Sequence, residues 1–468
     1  MGCCSTFKGL VAGSVVGGLV AVMGIILIPL GDMLIGSTVK KEGVIEPGTT
    51  AYENWVSAGA PVYRQFWLYN VLNPDDVVNN GSIPQVQEQG PYTYRTRYLP
   101  KENITFDLNT VSFVLPAGAI FEPTMSVGPE EDNVTVLNLV VAGSLTVVPK
   151  PLHNLVNFLI KNTKSSLFMT RTVKEVLWGY RDPILNDVTG VFYPYNNTFD
   201  GPYNISTGKD DISKVSLINS WQDSSLLPFW DDPYCNMLNG SDASSFPPFV
   251  EKKKPLYFFS SDICRSVSAA YSSTHNLKGI DVYRYMLTPN TLASPNVNPD
   301  NMCYCRDMEV TKNCSMAGVL DVSACRDGYP IYISLPHFLY GSPELNQAIQ
   351  GMSPHEEHHA TYLDVEPITG FTLRFAKRIQ MNMMYGPSDK ITVLNKVKDF
   401  TIFPVVWLNE TAMLDDATAD MFKEELVSKV NLLDTMQISL ISVGIIACVV
   451  LGIAACVVHR NDERKIVA

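Results

Sequence analysis

The sequence predicts an α+β protein: one large ectodomain on an antiparallel β core, tethered by a transmembrane helix at each end. Three observations predict it. Residues 10–30 and 438–458 are each 21 residues without a charge, and at about 1.5 Å rise per residue each covers roughly 30 Å, a bilayer's hydrocarbon thickness. Eight N-x-Ser/Thr acceptors lie between them, at Asn80, Asn103, Asn133, Asn196, Asn204, Asn239, Asn313 and Asn409. Glycosylation is confined to the secretory lumen, so residues 31–437 face outside the cell. Within that insert, polar and apolar residues alternate in short runs bounded by Gly, Pro and Asn.

The elements follow in chain order. Residues 1–9 form a cytoplasmic N-tail and residues 10–30 the first span, read as an uncleaved anchor. Its apolar run is too long for a signal peptide, and Gly31-Asp32-Met33 offers no small-x-small cleavage site. Gly9, Gly13 and Gly17 repeat every four residues, as do Gly444, Cys448, Gly452 and Cys456 in the second span, a spacing that permits close helix packing. A helix is expected over 50–72. Tyr92-Thr93-Tyr94-Arg95-Thr96-Arg97-Tyr98, Val282-Tyr283-Arg284-Tyr285-Met286 and Phe371-Thr372-Leu373-Arg374-Phe375 read as strands. Asn80-Gly81, Gly90-Pro91, Pro116-Ala117-Gly118 and Gly386-Pro387 read as turns between strands. Several more strands are expected over 330–407, and helices near 343–351 and over 416–434, the latter leading into the second span at 438–458. Residues 459–468 are a second cytoplasmic tail. Two short tails leave no room for an intracellular kinase or nucleotide-binding domain.

Charge singles out one region. The net charge is −12, and removing the single net positive charge of each tail leaves −14 for the ectodomain, which argues against nucleic acid as a partner. Residues 133–174 break the trend. They contain no Asp or Glu, yet carry Lys150, Lys161, Lys164, Arg171 and Lys174. Leu152, Leu155, Val156, Leu159 and Ile160 follow i, i+3, i+4, i+7, i+8 and predict an amphipathic helix. Lys161 lies about 180° from that stripe at 100° per residue, so it points to solvent, and Phe158 falls off the stripe's centre as an exposed aromatic. Met169, Val173, Val176, Leu177 and Tyr180 predict a second helix, so residues 150–180 read as a helical hairpin with lysines near its tip. The plain reading is a solvated basic face; its contrast with the acidic remainder favours a docking patch for anionic ligands.

The ten cysteines divide by compartment. Cys3 and Cys4 sit in the N-tail, and Cys448 and Cys456 in the second span. Cys235, Cys264, Cys303, Cys305, Cys314 and Cys325 fall in the ectodomain, where an even number reads as three disulfides with fifteen pairings open. No metal site and no cofactor are expected. His355-Glu356-Glu357-His358-His359 fits the H-E-x-x-H zinc-protease pattern, but only about one helical turn fits between Pro354 and the next strand, and no third ligand follows. It reads as a solvated acidic loop. No G-x-S-x-G elbow appears, and the chain is not expected to be an enzyme.

Several segments are distinctive: Tyr63-Arg64-Gln65-Phe66-Trp67 with Asn73-Pro74, Gln89-Gly90-Pro91-Tyr92-Thr93-Tyr94-Arg95, Asn298-Pro299-Asp300-Asn301-Met302-Cys303-Tyr304-Cys305, Ser334-Leu335-Pro336-His337-Phe338-Leu339-Tyr340 and Leu363-Asp364-Val365-Glu366-Pro367-Ile368-Thr369-Gly370. Together they resemble the class B scavenger receptor family over the whole chain. The resemblance implies a β-barrel-like ectodomain core topped by an apical helical bundle, with a lipid-conducting tunnel. It implies binding of long-chain fatty acids, oxidised lipoproteins, anionic phospholipids and thrombospondin-type proteins. Homo-oligomers and a cytoplasmic tyrosine kinase acting through the short tails complete the expected partners. Adhesion without lipid transport is the alternative reading.

The family's cysteine pattern pairs Cys235 with Cys303, Cys264 with Cys325 and Cys305 with Cys314. Its ligand-contacting lysines fall on the segment Lys161-Asn162-Thr163-Lys164-Ser165-Ser166, where this chain keeps Lys164 but has Asn162 in place of a lysine, with Lys161 supplying the displaced charge. Lys164, Lys161 and Phe158 are the ligand-binding residues this implies. Met1-Gly2-Cys3-Cys4 is similar to the family's palmitoylated end, which with Cys456 gives three acylation sites. The C-tail has no dileucine after Asp462-Glu463, so the expected address is the plasma membrane, with raft and Golgi pools.

Overall fold

The computed structural model describes residues 2–57, 60–96, 100–195, 198–306 and 314–467, and divides into two compact units. One comprises Met1–Glu42, Lys278–Ile280 and Asp415–Ala468; the other comprises Gly43–Leu277 and Asp281–Leu414.

Two long helices dominate the first unit, Gly2–Glu42 and Ser428–Val467. Both are long and apolar enough to cross a membrane. They pack on each other through their small residues. A Cβ on Gly17 meets the Cys448 backbone nitrogen at 2.6 Å, Gly24 faces Ile441, and Gly444 lies against the Ala21 backbone. Only glycine lets the two backbones approach so closely. Two polar groups join the seam: Ser14 Oγ donates to the Cys448 carbonyl at 2.8 Å, and Gln437 Nε2 to the Leu27 carbonyl at 2.9 Å. Outward residues such as Val15, Leu19, Ile26, Ile446 and Val449 stay exposed, as a lipid-facing surface requires. Gly9 meets nothing, so the close approach begins further along the first helix. The second helix is preceded by Asp416–Phe422 and a π-helical turn, Lys423–Val427.

The second unit is built on an eleven-stranded sheet. Its path runs Leu256–Ser260, Arg265–Leu277, Ile280–Leu287, Tyr362–Val365, Thr372–Tyr385, Thr401–Met413, Tyr63–Val71, Val86–Thr96 and Ala119–Phe121. The hairpin Leu320–Asp321 with Ile331–Ser334 adds to Thr372–Tyr385. The assigned registers are antiparallel. No hydrogen-bonded pairing closes this sheet into a barrel among the described residues. Thr401–Met413 is an interior strand of this sheet, and Ile402 to Leu408 are all buried, so it reads as a continuous apolar run rather than an alternation. Pro404 sits opposite Asn382, where the register shifts, which spares the ladder a missing donor.

Three expectations are corrected here. The helix expected over 50–72 stops at Val56, and Tyr63–Val71 is a strand. Its run of aromatic and apolar side chains is sandwiched between two neighbouring strands, with Phe66, Leu68 and Tyr69 fully buried. Gly90-Pro91 lies inside Val86–Thr96 instead of ending it. The register slips there opposite Trp67, and a Cβ on Gly90 meets the Phe66 carbonyl at 2.6 Å. The expected hairpin over 150–180 is one helix, His153–Asn162, then a strand, Phe168–Thr172, then a short helix, Val173–Trp178. Residues 168–172 pair with Asn133–Leu137, register Val136↔Met169, so Met169 belongs to a ladder. Arg97 and Tyr98, expected at the end of a strand, lie outside the described residues.

Three disulfides join Cys235 to Cys303, Cys264 to Cys325 and Cys305 to Cys314, with Cα separations of 6.0, 6.6 and 5.2 Å. The first two close long loops, each a constraint of about 4 kcal/mol in the chain-entropy account. Asn80, Asn103, Asn133 and Asn239 are exposed. Asn204 and Asn409 are half-buried, with their amide nitrogens donated to Ser112 and Gln65. Asn196 and Asn313 lie outside the described residues, as do the side chains of Cys3 and Cys4. Cys456 is exposed, whereas Cys448 is half-buried against Ser14.

Candidate functional site

The basic region builds a defined surface. Leu139–Val147 is an apolar helix capped by Asn138, whose Oδ1 accepts the Val140 and Val141 amides. After the Pro149-Lys150-Pro151 turn, the helix His153–Asn162 begins with a buried histidine whose Nε2 bonds the Val148 carbonyl at 2.9 Å. Four residues later, Asn157 Oδ1 accepts the Thr392 amide at 2.9 Å. These two polar side chains turn the helix. His153 and Ile160 are its buried residues, with Val156 and Asn157 between them half-buried. The inner face is therefore rotated by roughly 90° from the stripe that hydrophobicity alone predicts.

The rotation exposes a second apolar row. Leu152 is 49%, Leu155 54% and Phe158 63% exposed, and their i, i+3, i+6 spacing places them together on one side of the helix. Phe158 is where the sequence puts it; Leu152 and Leu155 were expected inside. The hydrogen bonds of His153, to Val148 nearby, and of Asn157, to Thr392 far along the chain, account for their exposure.

Cations border this row. Lys150, Lys161 and Lys164 are exposed, and none of them joins an ion pair among the described residues. The other two cations of the region are occupied. Lys174 pairs with Glu130 at 2.5 Å, which raises its pKa. Arg171 lies 3.8 Å from Glu175 and over the ring of Tyr180. A stretch without carboxylates is thus partly neutralised by its neighbours in space, leaving three free lysines.

Lys164 is held by the way the helix ends. Its φ is +54°, in the left-handed region. The Ser165 amide returns to the Ile160 carbonyl at 3.0 Å and the Lys164 amide to Lys161 at 3.2 Å, the paired bonds of a Schellman cap. Glycine is the usual residue there, and a lysine costs about 1 kcal/mol of strain. Thr163 Oγ1 satisfies the Leu159 and Ile160 carbonyls. The cap therefore fixes where the Lys164 backbone sits relative to Lys161.

Such a surface suits an amphiphile with an anionic head: lysines for the head, leucines and a phenylalanine for the first carbons of the tail. Covering a half-exposed leucine or phenylalanine contributes roughly 1 kcal/mol. A contrasting cavity of about 540 Å³ is lined by Asp231, Asp232, Tyr234, Asp300 and Met302 beside Cys303 and Cys305. Its three carboxylates repel an anionic head.

The H-E-x-x-H run does not assemble as a protease site. Its helix, Glu356–His359, is four residues long. His359 is buried and stacked on His337 at 4.5 Å, while burial and the nearby Glu356 carboxylate raise the pKa of the Tyr340 hydroxyl.

Two helices long and apolar enough to cross a membrane, and a disulfide-closed sheet domain carrying an exposed basic and apolar face, suit a two-span membrane protein. The chain belongs to the CD36 family, whose sequence profile matches residues 15–455. It is 36% identical over 403 residues to lysosome membrane protein 2 of Rattus norvegicus, covering 83% of this chain and 82% of the relative. Its identity to the Homo sapiens protein of that name is 35% over 428 residues, 88% of this chain and 87% of the other. Scavenger receptor class B member 1 of Sus scrofa is 30% identical over 449 residues, 92% of this chain and 86% of that one. The class B scavenger receptor resemblance of the motifs is thereby shown.

Proposed function

We propose that this chain is a cell-surface scavenger receptor and long-chain fatty acid uptake protein. It captures fatty acids, oxidised lipoproteins and anionic phospholipids at the basic face around the helix His153–Asn162 and passes lipid through an ectodomain tunnel toward the membrane, like the family's fatty acid translocase. One observation carries the reading: Lys150, Lys161 and Lys164, free of ion pairs among the described residues, lie beside exposed Leu152, Leu155 and Phe158 in the chain. A fatty acid needs both halves of that surface, since an anion moved out of water requires a cation and its chain requires apolar contact. Transport needs no catalyst and follows the fatty acid gradient.

The same reading places the chain in the plasma membrane, with raft and Golgi pools, both termini cytoplasmic, and Cys3, Cys4 and Cys456 palmitoylated. Homo-oligomers and a cytoplasmic tyrosine kinase recruited by the tails belong to it. The adhesion reading, with a thrombospondin-type protein as sole partner, draws on the acidic cavity at Asp231, Asp232 and Asp300, which suits a basic protein surface.

Native mass spectrometry of the detergent-solubilised chain separates the two. Lipid transport requires co-purified fatty acid that exchanges with added labelled fatty acid. A chain that carries none, and takes up none when it is added, leaves adhesion standing.

A further inference from the structure

The run His355–His359 holds a different constellation from the one its motif suggests. The ligand atoms of His355, Glu357 and His358 lie within 4.8 Å of one another, and all three side chains are exposed. The rings of His355 and His358 are 4.7 Å apart. The motif's other two members are not part of it: His359 is buried, and Glu356 lies by the Tyr340 hydroxyl, whose pKa it helps to raise.

The backbone that carries this trio is pinned from three sides. The His355 amide donates to His359 Nδ1 at 3.0 Å, and His359 is packed between His337 and the edge of Trp407. Arg378 Nη1 donates to the Glu357 carbonyl at 2.8 Å and to Ala360 at 2.9 Å. The His359 and Ala360 amides close the helical turn on the His355 and Glu356 carbonyls, each at 2.9 Å. Only side-chain torsions remain free, and no hydrogen bond holds the His355, Glu357 or His358 side chains among the described residues.

We propose that His355, Glu357 and His358 form a surface site for zinc, independent of the lipid surface and not catalytic. Two imidazoles and one carboxylate are a donor set that borderline divalent ions favour, and a water or an outside ligand completes the tetrahedron. Zinc at ~2.0–2.2 Å from each ligand sets ligand edges of roughly 3.3 Å. The trio closes by about 1.5 Å, a movement that exposed rotamers supply. Calcium and magnesium, which take oxygen ligands, do not compete. Glu356, the base of the protease motif, is not one of the three ligands, so the ion holds the turn and presents one open coordination position.

The test uses the full-length chain in detergent, without a polyhistidine tag, stripped with EDTA and titrated with zinc chloride by calorimetry. Metal content is measured after gel filtration. We expect one zinc per chain that His355→Ala, His358→Ala and Glu357→Gln each weaken ~10-fold or more. His275→Ala, an exposed histidine elsewhere, leaves that zinc in place. Thermal melts of each variant check that it is folded, as its exposed side chain predicts. No bound zinc in the wild type, or the same zinc affinity in His355→Ala and His358→Ala, overturns the site.

Discussion

Asp364 offers a sharp test of how the sheet holds together. Its carboxylate is fully buried and meets two arginines: Arg284 through Nε at 2.7 Å and Nη2 at 2.7 Å, and Arg374 through Nε at 2.6 Å. The register explains the cluster. Arg284 lies opposite Asp364 on one neighbouring strand and Arg374 opposite it on the other, so three side chains share one face. The ring of Tyr362 packs 4.0 Å from the Arg284 guanidinium carbon. Asp364→Ala leaves two partly buried guanidiniums without a counter-charge, which costs about 3–5 kcal/mol, a large share of the ~5–15 kcal/mol that holds a typical domain. With ~2.1 cal/mol/K per residue over roughly 370 residues, the thermal midpoint falls by about 4–6 °C. Asp364→Asn keeps the shape and one acceptor, and costs less, about 1–3 kcal/mol. The assay is thermal unfolding of the purified full-length chain, with surface biotinylation of expressing cells as a second readout. An Ala variant melting within 1 °C of the wild type refutes the view that this cluster braces the three strands.

Two further predictions bear on the site and on pH. Lys164→Gly removes a cation but suits the left-handed cap, where relief of about 1 kcal/mol of strain offsets the ~0.5–1 kcal/mol entropic cost of glycine; thermal stability stays within about 1 kcal/mol while binding to anionic vesicles weakens roughly 1.5- to 5-fold. Burial pushes the Glu410 carboxyl up, but Arg64 and Lys377 outweigh it and hold the group below the usual carboxylate range. A depressed carboxylate contributes stability above its unfolded value of about 4.3 and loses it as pH falls through the lower folded value. The penalty of Glu410→Gln, about 2–3 kcal/mol for a mostly buried pair, is therefore the same at pH 7 and pH 5 and shrinks only below about pH 4. Melting curves of both proteins across pH 3–7 read this difference directly.

How far the sequence revealed this structure depended on whether the deciding contacts were local. The two long apolar helices were plain, because 21 uncharged residues need no partner to be read. The long strands Thr372–Tyr385 and Thr401–Met413 fell where dense strand signals were expected. Tyr63–Val71 was misread because side chains are buried on both of its faces, Phe66 and Leu68 on one and Tyr69 on the other, which erases the alternation that marks a half-buried strand. The lysines were legible from composition, but which of them are free was not. Glu130, which neutralises Lys174, lies 44 residues away in the chain. Leu152 and Leu155 were assigned to the wrong face, since hydrophobic periodicity treats His153 and Asn157 as solvent-facing, and both turn inward to satisfy backbone groups. The trio at His355, Glu357 and His358 was visible as a motif, but its members were exchanged by the packing of His359 on His337.

We propose that the lysines around the helix His153–Asn162 carry recognition of anionic lipid. The most direct test is the double charge reversal Lys161→Glu with Lys164→Glu, measured by binding of oxidised lipoprotein and of vesicles containing anionic phospholipid at two salt concentrations. Single exposed charges contribute only about 0.2–1 kcal/mol each; reversing two changes the local charge by four units, about 1–2 kcal/mol in sum. The account predicts binding reduced roughly five- to thirtyfold at low salt, less at high salt where the field is screened, with surface expression unchanged because both side chains already face water. Binding equal to wild type at both salt concentrations contradicts it and leaves this basic surface an ordinary solvated face.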